Sequence, residues 1–125
     1  MHLRALAGTF ALCRLDGAEH LPEWFRLTPP LSGAIRRGEE LSLVAPVDAV
    51  PGGVVAERGW RALEVAGPLT FEMTGVMADL AGALASAGIS VMTLATYDTD
   101  LVLVRDERLS DAVAALREAG HTVEA

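Results

Sequence analysis

Between Gly75 and Ala87 the apolar residues Val76, Leu80 and Leu84 recur at helical spacing, with Met77 and Ala81 beside them. This spacing predicts one face of a helix. Thr74 stands where an N-cap belongs, and Gly88 where a left-handed residue would end the helix. A second face of the same kind, Leu109, Ala112, Val113 and Leu116, is stopped by Gly120. Around these helices the pattern changes to alternating or β-branched runs. "WRALEVAG" (60–67) alternates as a strand until Gly67-Pro68 ends it, and "ISVMTLATY" (89–97) is long enough for a central strand. "LVLVR" (101–105) reads as its hairpin partner, because only a short turn separates the two, and "HTVE" supplies a last short strand.

From residue 60 onward the order is therefore β-α-β-β-α-β. An internal echo supports it: "ALASAGISV" (83–91) and "ALREAGHTV" (115–123) share a helix end, a glycine stop and a strand entry. Two similar β-α-β halves are the mark of the ferredoxin-like split fold, an α+β architecture in which both helices cover one face of an antiparallel four-stranded sheet. In the first half, "AGTFALCRL" (7–15) reads as a strand and "LPEWFRL" (21–27) as a short helix. "LSGAIRR" (31–37) and "LSLVAPV" (41–47) are further short pieces, and Pro51-Gly52-Gly53 is the best linker or wide turn. The expected organisation is an abbreviated, related module over 1–59 followed by the complete module over 60–125.

Charge narrows the partners. The 125 residues carry 10 Lys+Arg against 17 Asp+Glu, a net charge of -7. Arg36-Arg37, the nearest approach to a basic patch, is followed after Gly38 by Glu39-Glu40. Nucleic acid and anionic membranes are thus poor partners. No apolar run approaches the roughly 18 residues of a transmembrane helix. The early apolar stretch is cut short by Arg14 and Asp16, and the lone Cys13, among apolar neighbours, reads as a buried structural thiol in a reducing compartment. The expected location is the cytoplasm.

Support for catalysis is thin. His2, His20 and His121 lack metal-ligand spacing, nucleophile motifs are absent, and no phosphate-loop or dinucleotide fingerprint surrounds Gly75 or Gly82. The expectation is no metal, no cofactor and no enzymatic activity. Asp98 and Asp100 could form an acid pair, but alternate positions near a turn ordinarily hold solvated acids. Binding has more behind it. The segment "PLTFEMTGVMADL" (68–80) runs from a strand end through a loop into a helix start, whose first N–H groups have no helical acceptor and suit a carboxylate. In this topology the strand ending at 67 and the strand starting near 100 are neighbours. The loop 68–74 and the turn 97–100 then share one end of the sheet. N–H groups for a carboxylate beside acids for an ammonium would suit a zwitterionic amino acid.

At these residues the sequence resembles a known family. "GPLTFEMTGVMADLAGALASAGISVMTLATYDTDLVLV" (67–104) resembles the ACT domain, in the branch related to the regulatory part of aspartate kinase and to the cytosolic arginine sensors. The matching pieces are "RALEV-GPL", "F-MTGVMA-L", "AGISV" and "TYDTDLVLV". The resemblance implies a regulatory protein without catalytic activity that binds an amino acid where modules pair, as a homo-oligomer, here a dimer. It implies that Thr74, Gly75, Val76 and Met77 meet the ligand carboxylate. Asp98 and the backbone of Thr96, Tyr97 and Thr99 would line the same pocket, with Asp100 within reach and Glu72 a contact for a cationic side chain. The rival reading is an interaction module that assembles through its sheet and holds no ligand.

Overall fold

The computed structural model describes residues 1–17, 20–66 and 74–125. Two compact units divide the chain, one formed by Met1–Leu6 with Arg61–Ala125 and the other by Ala7–Trp60. The strands are β1 (His2–Ala5), β2 (Phe10–Asp16), β3 (Gly33–Arg37), β4 (Glu40–Pro46), β5 (Ala56–Val65), β6 (Met92–Ala95), β7 (Asp100–Arg105) and β8 (Thr122–Glu124). The helices are α1 (Val76–Ser86) and α2 (Leu109–Glu118).

In the unit holding both helices the strand order is β8-β1-β5-β7-β6. The β-α-β-β-α-β succession expected from residue 60 is present as β5-α1-β6-β7-α2-β8. Among the described residues this unit nevertheless has five strands where the sequence suggested four. β1 lies between β5 and β8, antiparallel to the first (Leu3↔Val65) and parallel to the second (Leu3↔Val123). The short run "HLRA" gave too few alternations to stand out from the apolar residues that follow it. It belongs here because Leu3, fully buried, joins Leu63, Val65, Val102, Val104 and Val123 in one core with Leu80, Leu84, Val113 and Leu116 of the helices. A second correction concerns β6. It pairs only with β7 among the described residues, so it is an edge strand, and Thr93 and Ala95 are exposed.

Both helices end in the same way. Gly88 (φ 73°) donates its N–H to the Ala85 carbonyl at 2.9 Å, and Ile89 donates to Leu84 at 3.0 Å. Gly120 (φ 96°) and His121 repeat the pair with Arg117 and Leu116, both at 3.0 Å. These are Schellman endings, in which a left-handed glycine lets two N–H groups meet otherwise orphaned carbonyls. The echo between residues 83–91 and 115–123 is thus a repeated helix stop.

In the other unit the order is β3-β4-β2-β5. The register Ala11↔Ala45, Cys13↔Leu43 and Leu15↔Leu41 sets these side chains on one face, where Phe25 and Val50 pack against them. Cys13 is buried as expected, and burial pushes its thiol pKa up. The helix expected at 21–27 does not form. One turn closes there, with Phe25 N–H on the Pro22 carbonyl at 3.0 Å, and Trp24 stands edge-on to Phe25. A helix of that length needs an apolar stripe on a core, yet Leu21 and Leu27 are exposed and only Phe25 is fully inserted.

Along the seam of β1 and β8, the Met1 ammonium sits 3.0 Å from His121 Nδ1, and His2 Nε2 lies 3.2 Å from Glu124 Oε2. Burial lowers the His121 pKa from its ordinary 6.5, the Met1 ammonium lowers it further, and Asp79 on α1 opposes them. The unfolded chain therefore binds this proton more readily than the folded one. That contribution to stability is present above the unfolded value near 6.5 and is lost as pH falls below it.

Two outcomes are expected from chemical denaturation. Leu84→Ala, which empties a fully buried site under α1, should cost about 2–5 kcal/mol. Between about pH 7.5 and about pH 5.5 the unmodified protein should lose stability more steeply than His121→Gln, which keeps an acceptor for Met1 but cannot titrate.

Candidate functional site

The hairpin of β6 and β7 closes at the pair Ala95↔Asp100. Beyond it, Thr96 N–H donates to the Thr99 carbonyl at 2.8 Å. The Thr96 hydroxyl bonds the same carbonyl at 3.1 Å and accepts from Thr99 N–H at 3.1 Å. The tight two-residue hairpin turns that match strand twist require positive φ in their central residues. No described residue other than glycine has one. A threonine side chain therefore completes the turn, which leaves Tyr97 and Asp98 at the tip; Tyr97 is 82% exposed and Asp98 is exposed.

Thr99 points the other way. It is 8% exposed, and its hydroxyl donates to the Val65 carbonyl at 2.7 Å. Val65 ends β5, so this bond ties the tip of one hairpin to the end of the neighbouring strand. That bond places the 97–100 turn beside the end of β5, while residues 68–73 of the loop expected next to it lie outside the described residues. Asp100, half-buried, begins β7.

The far side of the expected pocket begins at α1. The residue flanking the helix is Gly75, in the left-handed region (φ 79°, ψ -3°), with no side-chain cap bond. Thr74 is exposed and lies one residue further out, which corrects its expected role as N-cap. The glycine provides the turn into the helix, a conformation in which a β-carbon would be strained. Asp79 N–H donates to the Gly75 carbonyl at 2.9 Å as the first helical bond, so the N–H groups of Val76, Met77 and Ala78 precede any intrahelical acceptor. The Val76 and Met77 side chains pack against the core, and only their backbone is disposed for an anion. Glu72 lies outside the described residues, as does the rest of 67–73.

The described residues include no group of three or more His, Cys, Asp or Glu able to hold a metal ion. No helix among them is long and apolar enough to cross a membrane. A groove of about 500 Å³, missed in the sequence, runs along Ala78, Gly82 and Ser86 of α1 and past Ala119 and His121, with Asp79 at its side. The small residues at helical spacing were its signal, but they read equally as ordinary helix surface.

Comparison with known proteins gives these features a family. The family model described as "ACT domain" matches residues 55–118. No curated protein matches the chain. Among solved structures, a protein from Agobacterium tumefaciens is 30% identical with a TM-score of 0.89, covering 98% of this chain and 90% of its own. A Vibrio cholerae protein of unknown function, described as a possible transport protein, is 26% identical with a TM-score of 0.73, covering 94% and 89%. The regulatory subunit of aspartate kinase from Thermus thermophilus shares the fold at 16% identity, with a TM-score of 0.61 and coverage of 92% and 95%. The family match spans more than half of the sequence and contains the β5-α1-β6-β7-α2 succession, so this chain belongs to the ACT domain family.

Proposed function

We propose that this protein is a non-enzymatic regulatory sensor that binds a free amino acid in the cytoplasm and works as a homodimer. The observation that carries the reading is the Thr99–Val65 bond, which holds an exposed, acid-bearing turn at the end of the strand that leads toward α1. In this reading the α-carboxylate accepts from the N–H groups that open α1, where Gly75 leaves them uncapped and the helix dipole favours negative charge. Asp98 attracts the ammonium, and the backbone of Thr96 and Tyr97 lines the space between. Family membership and the fold shared with an aspartate kinase regulatory subunit support a regulatory role. A complete pocket would draw on a second copy, with the edge strand β6 available for pairing.

A thermal-shift screen against the standard amino acids at millimolar concentration tests this directly. An amino acid at about 100 times its Kd adds about 2.7 kcal/mol, which raises Tm by several degrees or more in a domain of this size. A shift confined to one or two amino acids is the expected result, and Asp98→Ala should weaken the binding by about tenfold through loss of a charge-assisted contact. A flat screen, with dimerisation unaffected by Asp98→Ala, would replace the sensor with an assembly module.

A further inference from the structure

We infer that Thr99 is a positioning residue of the candidate site and not a contact for the bound molecule: its hydroxyl, donating to the Val65 carbonyl, sets where Tyr97 and Asp98 stand relative to the end of β5. The inference rests for its functional meaning on the amino-acid-binding reading, while its geometry can be tested with no amino acid present.

The two threonines of this turn do different work. Thr96 closes the turn on itself, bonding both the N–H and the carbonyl of Thr99. That clamp fixes the turn's shape, and the pairing of β7 with β5 places its root. The tip beyond β7 is tethered by Thr99, whose hydroxyl reaches across to the end of β5. Among the described residues Thr99 is the one buried polar side chain, and its neighbours in sequence on β7, Leu101 to Val104, are all buried and apolar. Valine would satisfy such a position by shape and β-propensity, so the hydroxyl needs a reason. Its 2.7 Å bond supplies one, since a buried hydroxyl or carbonyl without a partner is costly.

Thr99 is 8% exposed and its hydroxyl proton is donated inward to Val65, so the side chain is turned away from a ligand at the exposed tip. Thr99 therefore acts through the residues it holds. If the bond is removed, the Thr96 clamp is left to hold the turn alone and opens more often, and Asp98 moves relative to β5. A site built from two separate segments is sensitive to displacement of this kind.

Thr99→Val and Thr99→Ser in the full chain separate the possibilities, the first removing the donor at nearly constant shape and the second keeping it. Amide hydrogen exchange is followed without added amino acid. Thr96 N–H, bonded to the Thr99 carbonyl, should exchange about tenfold faster in Thr99→Val, as expected for loss of one buried bond, and near the unmodified rate in Thr99→Ser. The Leu103 and Val104 amides should not change, which distinguishes release of the turn from general destabilisation. Calorimetric titration with each standard amino acid in turn should then show any affinity of the unmodified protein reduced about tenfold in Thr99→Val and kept in Thr99→Ser. Unchanged Thr96 exchange in Thr99→Val, or binding at full affinity, would overturn the inference. Absence of binding to the unmodified protein would instead remove the sensor reading, and exchange alone would still decide whether Thr99 tethers the turn. Thr99→Ala takes the place of the valine variant if the latter does not fold.

Discussion

The packing of two helical stripes on the central strands governs the unit that carries the candidate site. Leu80 and Leu84 from α1 meet Val113 and Leu116 from α2 over Leu63, Val65, Val102 and Val104, and these side chains are fully or nearly fully buried. Each such burial contributes about 1.5–3 kcal/mol, far more than any exposed ion pair in the molecule. Arg14 with Asp16 and Arg37 with Glu40 decorate the surface of the other unit, and they are too exposed to decide its fold. The core therefore fixes the helix axes, and the polar turn at 96–99 takes its place from an already rigid frame.

That division explains how the site is constructed. Val65 belongs to the core by its side chain and to the site by its carbonyl. Val76 and Met77 do the same at the start of α1, with apolar side chains turned inward and the first N–H groups ahead of the helical ladder. In the proposed site the groups are thus mostly backbone groups, with Asp98 as the exposed acid of the turn.

How much of this could be read from the residues alone followed the strength of their periodicity. α1, α2 and β7 were legible because each buries several apolar side chains against one core, β8 because it repeats the strand entry after a glycine stop, and both glycine stops because left-handed endings demand glycine. β1 was not: four residues with a single buried leucine carry almost no pattern. The segment 21–27 misled for the opposite reason, since its cluster of apolar residues imitates a helix while only Phe25 inserts fully. At the site, the neighbourhood of the 96–100 turn and the β5 end was visible in the topology. The direction of the Thr99 hydroxyl was not, because a threonine beside a turn has the same sequence signature whether it faces a ligand or a carbonyl.

The parallel pairing of β1 with β8 has a kinetic side. His2 lies opposite Thr122, and the Met1–His121 contact spans 120 positions. Closing so long a loop costs entropy before the contact returns anything, whereas the β6-β7 hairpin and each helix form from near neighbours. During synthesis β1 is made about 120 residues before its parallel neighbour. Until β8 arrives, the outer edge of β1 offers unpaired N–H and C=O groups to any strand that passes. β8 thus closes an exposed edge as well as adding to the sheet, and until it does so β1 is open to pairing with the wrong strand.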